Sequence, residues 1–510
     1  MKKISFLFYS FSLLLIVSCT PKQENESAKK PNVIFIYVDD LGYGDLSCYG
    51  ATAVQTPNVD ALATGGIQFT DAHCTAATCT PSRYSLLTGS YAFRNNAAIL
   101  PGNAPLIINP GQETIADMFK KGGYATAVVG KWHLGLGNGS PDWNAAIKPG
   151  PLEIGFDYSY LIPATADRVP TVFVENHNVV NLDPNDPITV SYDKRIGTDP
   201  IGLEEGEVLK MTADAQHSGT VVNGISRIGY MSGGHKAYWK DEEFPNILTS
   251  KATDFITSHK NKPFFLYFAL PDIHVPRAPN AKFAGKTTMG PRGDAIVQMD
   301  WVTGQIMKKL KELNLADNTI IVFSSDNGPV LDDGYADKSV VNSDNHRPGG
   351  NFRGGKYSAY EAGTRVPTIV YWPAKIKPAK SQALLSQVDF FASFAKLIGV
   401  KIENAATAVD SFDMLDVLMG KNTKGRTNML EEAFTMSIRV GNWKYIAPQT
   451  KATPDWLVNK DIKTGLQQTP QLYNLSNDPR EENNLAEKMP ERIKAMAAQL
   501  SKIMKAPTKN

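Results

Sequence analysis

The hydrophobic pattern of the chain is dominated by four unbroken apolar runs, each closed by polar residues of a particular kind. Val33-Ile34-Phe35-Ile36-Tyr37-Val38 leads into Asp39-Asp40, and Tyr124-Ala125-Thr126-Ala127-Val128-Val129 leads into Gly130-Lys131-Trp132-His133. Phe264–Leu270 leads into Pro271-Asp272-Ile273-His274, and Thr319–Ser325 into Asp326-Asn327-Gly328. Such runs, rich in β-branched and aromatic residues and without alternation, predict strands buried on both faces, as in a parallel sheet covered by helices. The ligand crevice of an open α/β sheet lies outside the carboxyl ends of its strands. Four runs that end there in carboxylates, an amide, lysine and histidine point to one site for a cation and an anion. Lys131 and His133, two apart in extended chain, are expected to point the same way.

Helical patterns fall between these runs, at 56–63, at 114–121 before a Gly122-Gly123 stop, and at 294–313. A further strand is expected over 67–72. It leads to Cys79-Thr80-Pro81-Ser82-Arg83, which opens a helix ending at Gly89. Pro is welcome in a first helical turn, and a helix N-terminus lowers a nearby thiol's pKa, so Cys79 alone reads either as an ordinary helix start or as a reactive group. A glycine-rich loop with fixed charges, Phe352-Arg353-Gly354-Gly355-Lys356 through Glu361, precedes the strand Thr368–Tyr371. From about Glu431 the texture changes to short antiparallel-type strands, and residues 490–505 form an amphipathic helix. The expected fold is α/β: a large central, mostly parallel mixed sheet flanked by helices over 31–425, with a smaller α+β subdomain carrying a short antiparallel sheet over 426–510.

Composition narrows the function. The 510 residues are 42% hydrophobic and 20% charged, and the formal charge of +2 falls to zero if Lys2 and Lys3 leave with a leader. No broad positive field argues for nucleic acid, so an anionic ligand must be held locally. Residues 1–18 have the layout of a secretory signal, too short for a comfortable membrane span. Ser18 before Cys19, with a polar tether over 19–30, resembles a bacterial lipobox. That implies a lipid anchor at Cys19 and a periplasmic or cell-surface location in a Gram-negative bacterium. Cys48 and Cys74 are left either to pair or to remain buried free thiols.

Taken together, Cys79-Thr80-Pro81-Ser82-Arg83 with Leu87-Thr88-Gly89 resembles the signature of the type I, formylglycine-dependent sulfatases, which have an alkaline-phosphatase-like fold. Asp39-Asp40, Gly130-Lys131-Trp132-His133, His274-Val275-Pro276, Asp326-Asn327-Gly328 and Gly354-Gly355-Lys356 match the family's other motifs in order. The resemblance implies that a sulfatase-maturing enzyme oxidises Cys79 to Cα-formylglycine before export. One hydroxyl of its hydrate then attacks sulfur, and deprotonation of the other expels sulfate. It implies Ca²⁺ held by Asp39, Asp40, Asp326, Asn327 and position 79, with Arg83 orienting the nucleophile. Lys131, His274 and Lys356 would bind sulfate, His133 would act as base and His274 as the acid toward the leaving alcohol, the last two roles being exchangeable. Arg168, His217, Asp332, Asp333 and His346 lie in segments like those of bacterial carbohydrate sulfatases. They are candidate contacts to a sulfated glycan with a galactose-type sugar, each weighed against an ordinary loop role. Phosphodiester or phosphonate hydrolysis on the same fold, and a silent glycan-binding lipoprotein, are the rival readings.

Overall fold

Continuous apolar runs need two covered faces, and the chain supplies them. In the computed structural model, which describes residues 1, 3–4, 30–202, 209–343, 345–458, 460 and 462–506, the four runs form β1 (Asn32–Val38), β3 (Ala125–Lys131), β7 (Phe264–Leu270) and β8 (Thr319–Ser325). Six further strands are β2 (Ile67–Phe69), β4 (Tyr158–Ile162), β5 (Val174–Glu175), β6 (Asn178–Val179), β9 (Thr368–Tyr371) and β10 (Ala379–Ser381). Among the described residues these make a ten-stranded sheet in the order β10-β2-β9-β8-β1-β7-β3-β4-β5-β6. Its centre, from β8 through β1, β7 and β3 to β4, is parallel, while β9 and β5 start antiparallel flanks.

Alternate residues of each central strand serve opposite layers. Val33, Phe35 and Tyr37 pack in the layer containing α2 (Cys79–Thr88), α3 (Ile115–Lys121) and α6 (Phe390–Ile398). Ile34, Ile36 and Val38 pack in the layer of α1 (Pro57–Gly65), α4 (Phe244–Ser258) and α5 (Pro291–Glu312). Helix α5 begins three residues before the sequence expectation because Pro291 serves as its first residue. The strand expected over 67–72 is broken. Ala72–His73 leaves the main sheet to pair with Leu385–Ser386, and between the two pieces Asp71 forms ion pairs with Arg365 and Arg439.

Parallel register gathers the strand ends. Val38 lies opposite both Leu270 and Ser325, the Asp326 amide donates to the Val38 carbonyl at 3.1 Å, and the Asp39 amide donates to the Asp272 carbonyl at 2.9 Å. At the end of β3, Gly130 has φ 110°, and a Cβ there would lie 1.8 Å from the Ala269 carbonyl oxygen of β7. Only glycine permits that approach.

The C-terminal sheet is antiparallel and four-stranded, with β11 (Asn428–Glu432), β12 (Met436–Val440), β13 (Trp443–Ile446) and β14 (Gln471–Asn474) in sequential order. Helix α7 (Pro490–Lys505) covers one face through Met496 and Leu500. Ile446 and Tyr473 pack with Ala77, and β11 continues into the chain ahead of α2: the Ala77 amide donates to the Glu432 carbonyl at 2.8 Å, and the Glu432 amide to Thr75 at 3.0 Å. Of the predicted leader only residues 1 and 3–4 are described, and Cys19 and all of the tether before Lys30 lie outside the described residues. Cys48, Cys74 and Cys79 are free thiols, so Cys48 and Cys74 do not pair. No described helix is long and apolar enough to cross a membrane.

Replacing Gly130 by Ala should force β3 away from β7 and cost more than about 2 kcal/mol in unfolding free energy. Denaturant unfolding checks this; a change below about 0.5 kcal/mol would show that the close approach is dispensable.

Candidate active site

The site is built at the floor of a cavity of about 240 Å³ at the carboxyl ends of the central strands, where Cys79, Lys356, His274, Asp333 and Arg168 meet. Every residue of α2 is buried, and the Cys79 side of its first turn faces His133. The Cys79 Sγ lies 3.2 Å from His133 Nδ1, while His133 Nε2 lies 2.9 Å from the Leu100 carbonyl oxygen. A carbonyl only accepts, so Nε2 carries the hydrogen in the neutral ring and Nδ1 presents its lone pair to position 79. Burial, assisted by Lys131, keeps the ring's pKa well below the ordinary histidine value. Burial also pushes the Cys79 thiol up, against the pull of Lys131 and Lys356, so the helix start does not yield a thiolate.

Three carboxylates and an amide adjoin this point. Arg83, one turn along α2, donates through Nε and Nη2 to Asp326 Oδ2 at 2.9 and 2.7 Å. Lys131 Nζ lies 2.6 Å from Asp39 Oδ2, and Lys356 Nζ lies 2.9 Å from Asp40 Oδ2 and from Asp333 Oδ2. Burial opposes ionisation of Asp326, but Arg83 and Lys131 outweigh it and hold its carboxyl low. Asn327 Nδ2 donates to Asp40 Oδ1 at 2.7 Å and to the Gly328 carbonyl oxygen at 2.9 Å. Asp39 Oδ1 and Asn327 Oδ1 are fully enclosed and accept no hydrogen bond, a costly condition for buried acceptors that a hard cation would relieve. Asp39, Asp40 and His274 each bring a ligand atom within 4.8 Å of the others, a candidate acidic site for a cation with Asp326 and Asn327 beside it.

His274 stands on the other side. Its Nδ1 lies 2.6 Å from the Val275 carbonyl oxygen, leaving Nε2 3.9 Å from Asp40 Oδ2 and facing the cavity. Burial, then Lys356, lowers its pKa to about 4. Above it a relay of charges lines the wall: Asp214 Oδ1 lies 2.7 Å from His217 Nδ1, His217 Nε2 3.4 Å from Asp167 Oδ2, and Asp167 Oδ1 3.1 Å from Arg168 Nη1. Carboxylates on both sides raise His217 above the usual histidine value despite its burial.

Two of the sequence candidates lie elsewhere. His346 Nε2 is 2.8 Å from Asp45 Oδ1, and Arg292 Nη2 is 2.6 Å from the other oxygen. This buried trio ties the loop after β1 to the start of α5, so His346 is a structural partner, outside the cavity. Asp332 accepts from the Gly334 amide and lines a neighbouring depression. The expectation that Lys131 and His133 share an extended face also fails: β3 ends at Lys131, His133 has φ 55°, and the two reach the site from different directions. The sequence reading passed over Asp167, Tyr192, Gln216, Tyr357 and Trp456 as lining residues. Asp167 stands beside Arg168 and was within reach of pattern reasoning. Trp456 comes from the C-terminal part, in a polar stretch that carries no signal of its own.

A two-face-covered parallel sheet with buried carboxylates and fixed positive charges around one side chain on a helix start defines a hydrolase of the alkaline-phosphatase-like class, built for a charged ester. Comparison with known proteins narrows it. A sequence model of the Sulfatase family matches residues 31–400, and the chain belongs to that family of sulfuric ester hydrolases. It is 51% identical over 498 residues to an N-acetylgalactosamine-6-O-sulfatase of Bacteroides thetaiotaomicron, covering 96% of this chain and 97% of that one. It is 30% identical to human arylsulfatase A over 476 residues, 90% of this chain and 84% of that one. A solved structure reported under glycosaminoglycan metabolism by Bacteroides thetaiotaomicron superposes with a TM-score of 0.91 at 52% identity, covering 93% and 99% of the two chains.

Lys356→Ala should lower kcat/KM by 10²–10³-fold, on the order seen when a fixed charge is lost from a transition-state site. His346→Ala should cost about 1–3 kcal/mol of stability yet leave kcat/KM of the folded fraction within about threefold. Steady-state kinetics with unfolding curves on the same samples separate the two; a collapse of kcat in His346→Ala would return that residue to the site.

Proposed function

We propose that this protein removes a 6-O-sulfate from a terminal galactose-configured sugar, N-acetylgalactosamine in the first instance, on a sulfated glycan. The observation that carries this reading is the cavity itself, with Cys79 between His133 and the lysines at its floor and a wall of paired charges above. About 240 Å³ leaves room for one sugar with its sulfate. The near-full-length identity to an N-acetylgalactosamine-6-O-sulfatase supports the choice of sugar and position.

Formylglycine made from Cys79 by a maturing enzyme would supply, as its hydrate, an oxygen nucleophile and a second hydroxyl through which sulfate leaves. Asp39, Asp40, Asp326 and Asn327 would hold Ca²⁺, whose all-oxygen preference they meet and which would acidify the attacking hydroxyl. Arg83 fixes Asp326 and so positions the first turn of α2. Lys131 and Lys356 hold positive charge where sulfate oxygens gain negative charge, and Asp40 and Asp333 keep Lys356 protonated against burial. His133 Nδ1, 3.2 Å from Cys79 Sγ, would take a proton from the group at position 79. His274 Nε2, facing the cavity, would hand one to the departing alcohol, and a sulfate beside it would raise the ring's pKa from its depressed resting value. Arg168, His217 and Asp333 offer the sugar charge-assisted hydrogen bonds from the wall. Export through the leader, with a lipid anchor at Cys19, would bring the enzyme to its glycan.

Protein made in its native host should show an aldehyde or its hydrate in place of the thiol in the peptide containing Cys79, read by mass spectrometry. N-acetylgalactosamine 6-sulfate should be hydrolysed at least 10²-fold faster, in kcat/KM, than the 4-sulfate, because a site shaped for one position leaves the other unmatched. His133→Ala should lose about 10²–10⁴-fold in kcat. An intact thiol throughout the active fraction, or a preference for the 4-sulfate, would refute the assignment.

A further inference from the structure

Asp333, on the wall of the catalytic cavity, is shared by two lysines. Lys356 Nζ lies 2.9 Å from its Oδ2, and Lys460 Nζ lies 3.1 Å from its Oδ1. The Tyr357 hydroxyl donates to the same carboxylate, 3.1 Å from Oδ2. Burial opposes ionisation of Asp333, but Lys356, then Lys460, outweigh it and hold the carboxyl well below the usual carboxylate range. Lys460 follows the short helix Asp455–Val458 in the C-terminal part, so it reaches Asp333 from far along the chain. Its side chain is 6% exposed, and its Nζ is enclosed without a hydrogen bond among the described residues. An ammonium group buried in this way is costly unless it stands against opposite charge, and the nearer of the two carboxylates beside it is Asp333. The other, Asp214, has Oδ2 4.0 Å from Lys460 and holds His217 through Oδ1. Lys460 thus stands where the charges of the floor meet those of the wall.

We propose that Lys460 is a positioning residue for sulfate binding, acting through Asp333 on Lys356. The inference rests on the reading of Lys356 as a sulfate-binding charge. Lys356 Nζ is also 2.9 Å from Asp40 Oδ2, so two carboxylates compete for it. With Lys460 on Oδ1, only part of the Asp333 charge bears on Lys356, and that ammonium keeps a share of its field for an incoming anion. Without Lys460, the undivided Asp333 carboxylate would draw Lys356 toward itself and leave one uncompensated negative charge facing the cavity. Both changes work against sulfate. Lys460 is not among the residues lining the catalytic cavity, so it exerts this effect without touching the ligand.

Inorganic sulfate is the probe, because it is the product whatever the sugar. Its Kd is read by calorimetry on the full chain in calcium-containing buffer, with unfolding curves on the same samples. Lys460→Met, which keeps the length and removes the charge, should weaken sulfate binding at least about fivefold, and Lys460→Arg should stay within about twofold of the parent protein. In an Asp333→Asn background the same Lys460→Met change should move the Kd less than about twofold, because the charge it compensates is gone. Should Lys460→Met fail to fold, Lys460→Gln carries the same comparison. Unchanged affinity in Lys460→Met, a loss as large in Lys460→Arg, or an equal loss in the Asp333→Asn background would overturn the role of Lys460 and leave the reading of the cavity intact. A parent protein that does not bind sulfate, or a Lys356→Ala variant that binds it as well as the parent, would instead refute the reading of the cavity, and the route through Asp333 falls with it.

Discussion

Three carboxyls and three cationic side chains lie buried beneath the floor of this cavity, and their mutual compensation is the constraint on which the site depends. Asp39, Asp40 and Asp326 face Arg83, Lys131 and Lys356, and none of the six is more than 2% exposed. An isolated ion in such a place costs several kcal/mol, so each must have its partner close and well oriented. The pairs at 2.6 to 2.9 Å meet that demand. The formal charges balance, so a divalent cation and a sulfate group would enter as complements of one another. Neither would sit as comfortably in this lattice alone.

The remaining architecture keeps that floor dry and in register. Parallel pairing brings the ends of β1, β7 and β8 level, and two helical layers seal both faces. The C-terminal sheet adds a third support by pairing β11 with the chain just ahead of α2. A second buried group of charges, among them His73, Glu361, Glu431 and Lys444, fastens that junction, with Lys444 Nζ 3.1 Å from Glu361 and 3.3 Å from Glu431. Position 79 is thus held from both sides by elements far apart in sequence.

Much of this was legible in the chain because the local signal and the tertiary role coincide. An unbroken apolar run is what a doubly covered strand requires, and the residue just past it falls at the crevice by topology alone. Asp39, Asp40, Lys131, His133, His274, Asp326 and Asn327 follow from that logic, and Lys356 from its glycine-rich loop. His346 does not, because the partner that fixes its role, Asp45, is distant in sequence and no periodicity links them. The thiol of Cys79 was legible as a helix start, but the burial that outweighs the helix terminus comes from layers that the local pattern does not describe. Trp456 escaped for the opposite reason: its surroundings read as surface, and only the fold turns it toward the cavity.

The complete enclosure of α2 also has a consequence for timing. Cys79 is 2% exposed, its helix is buried throughout, and the segment before it is paired with β11. No enzyme large enough to carry its own active site can reach that side chain in the finished molecule. An enzyme that oxidised Cys79 would have to meet it while the chain is still open, so folding would act as a deadline, and a molecule that passed it unaltered would keep its cysteine for as long as it stayed folded.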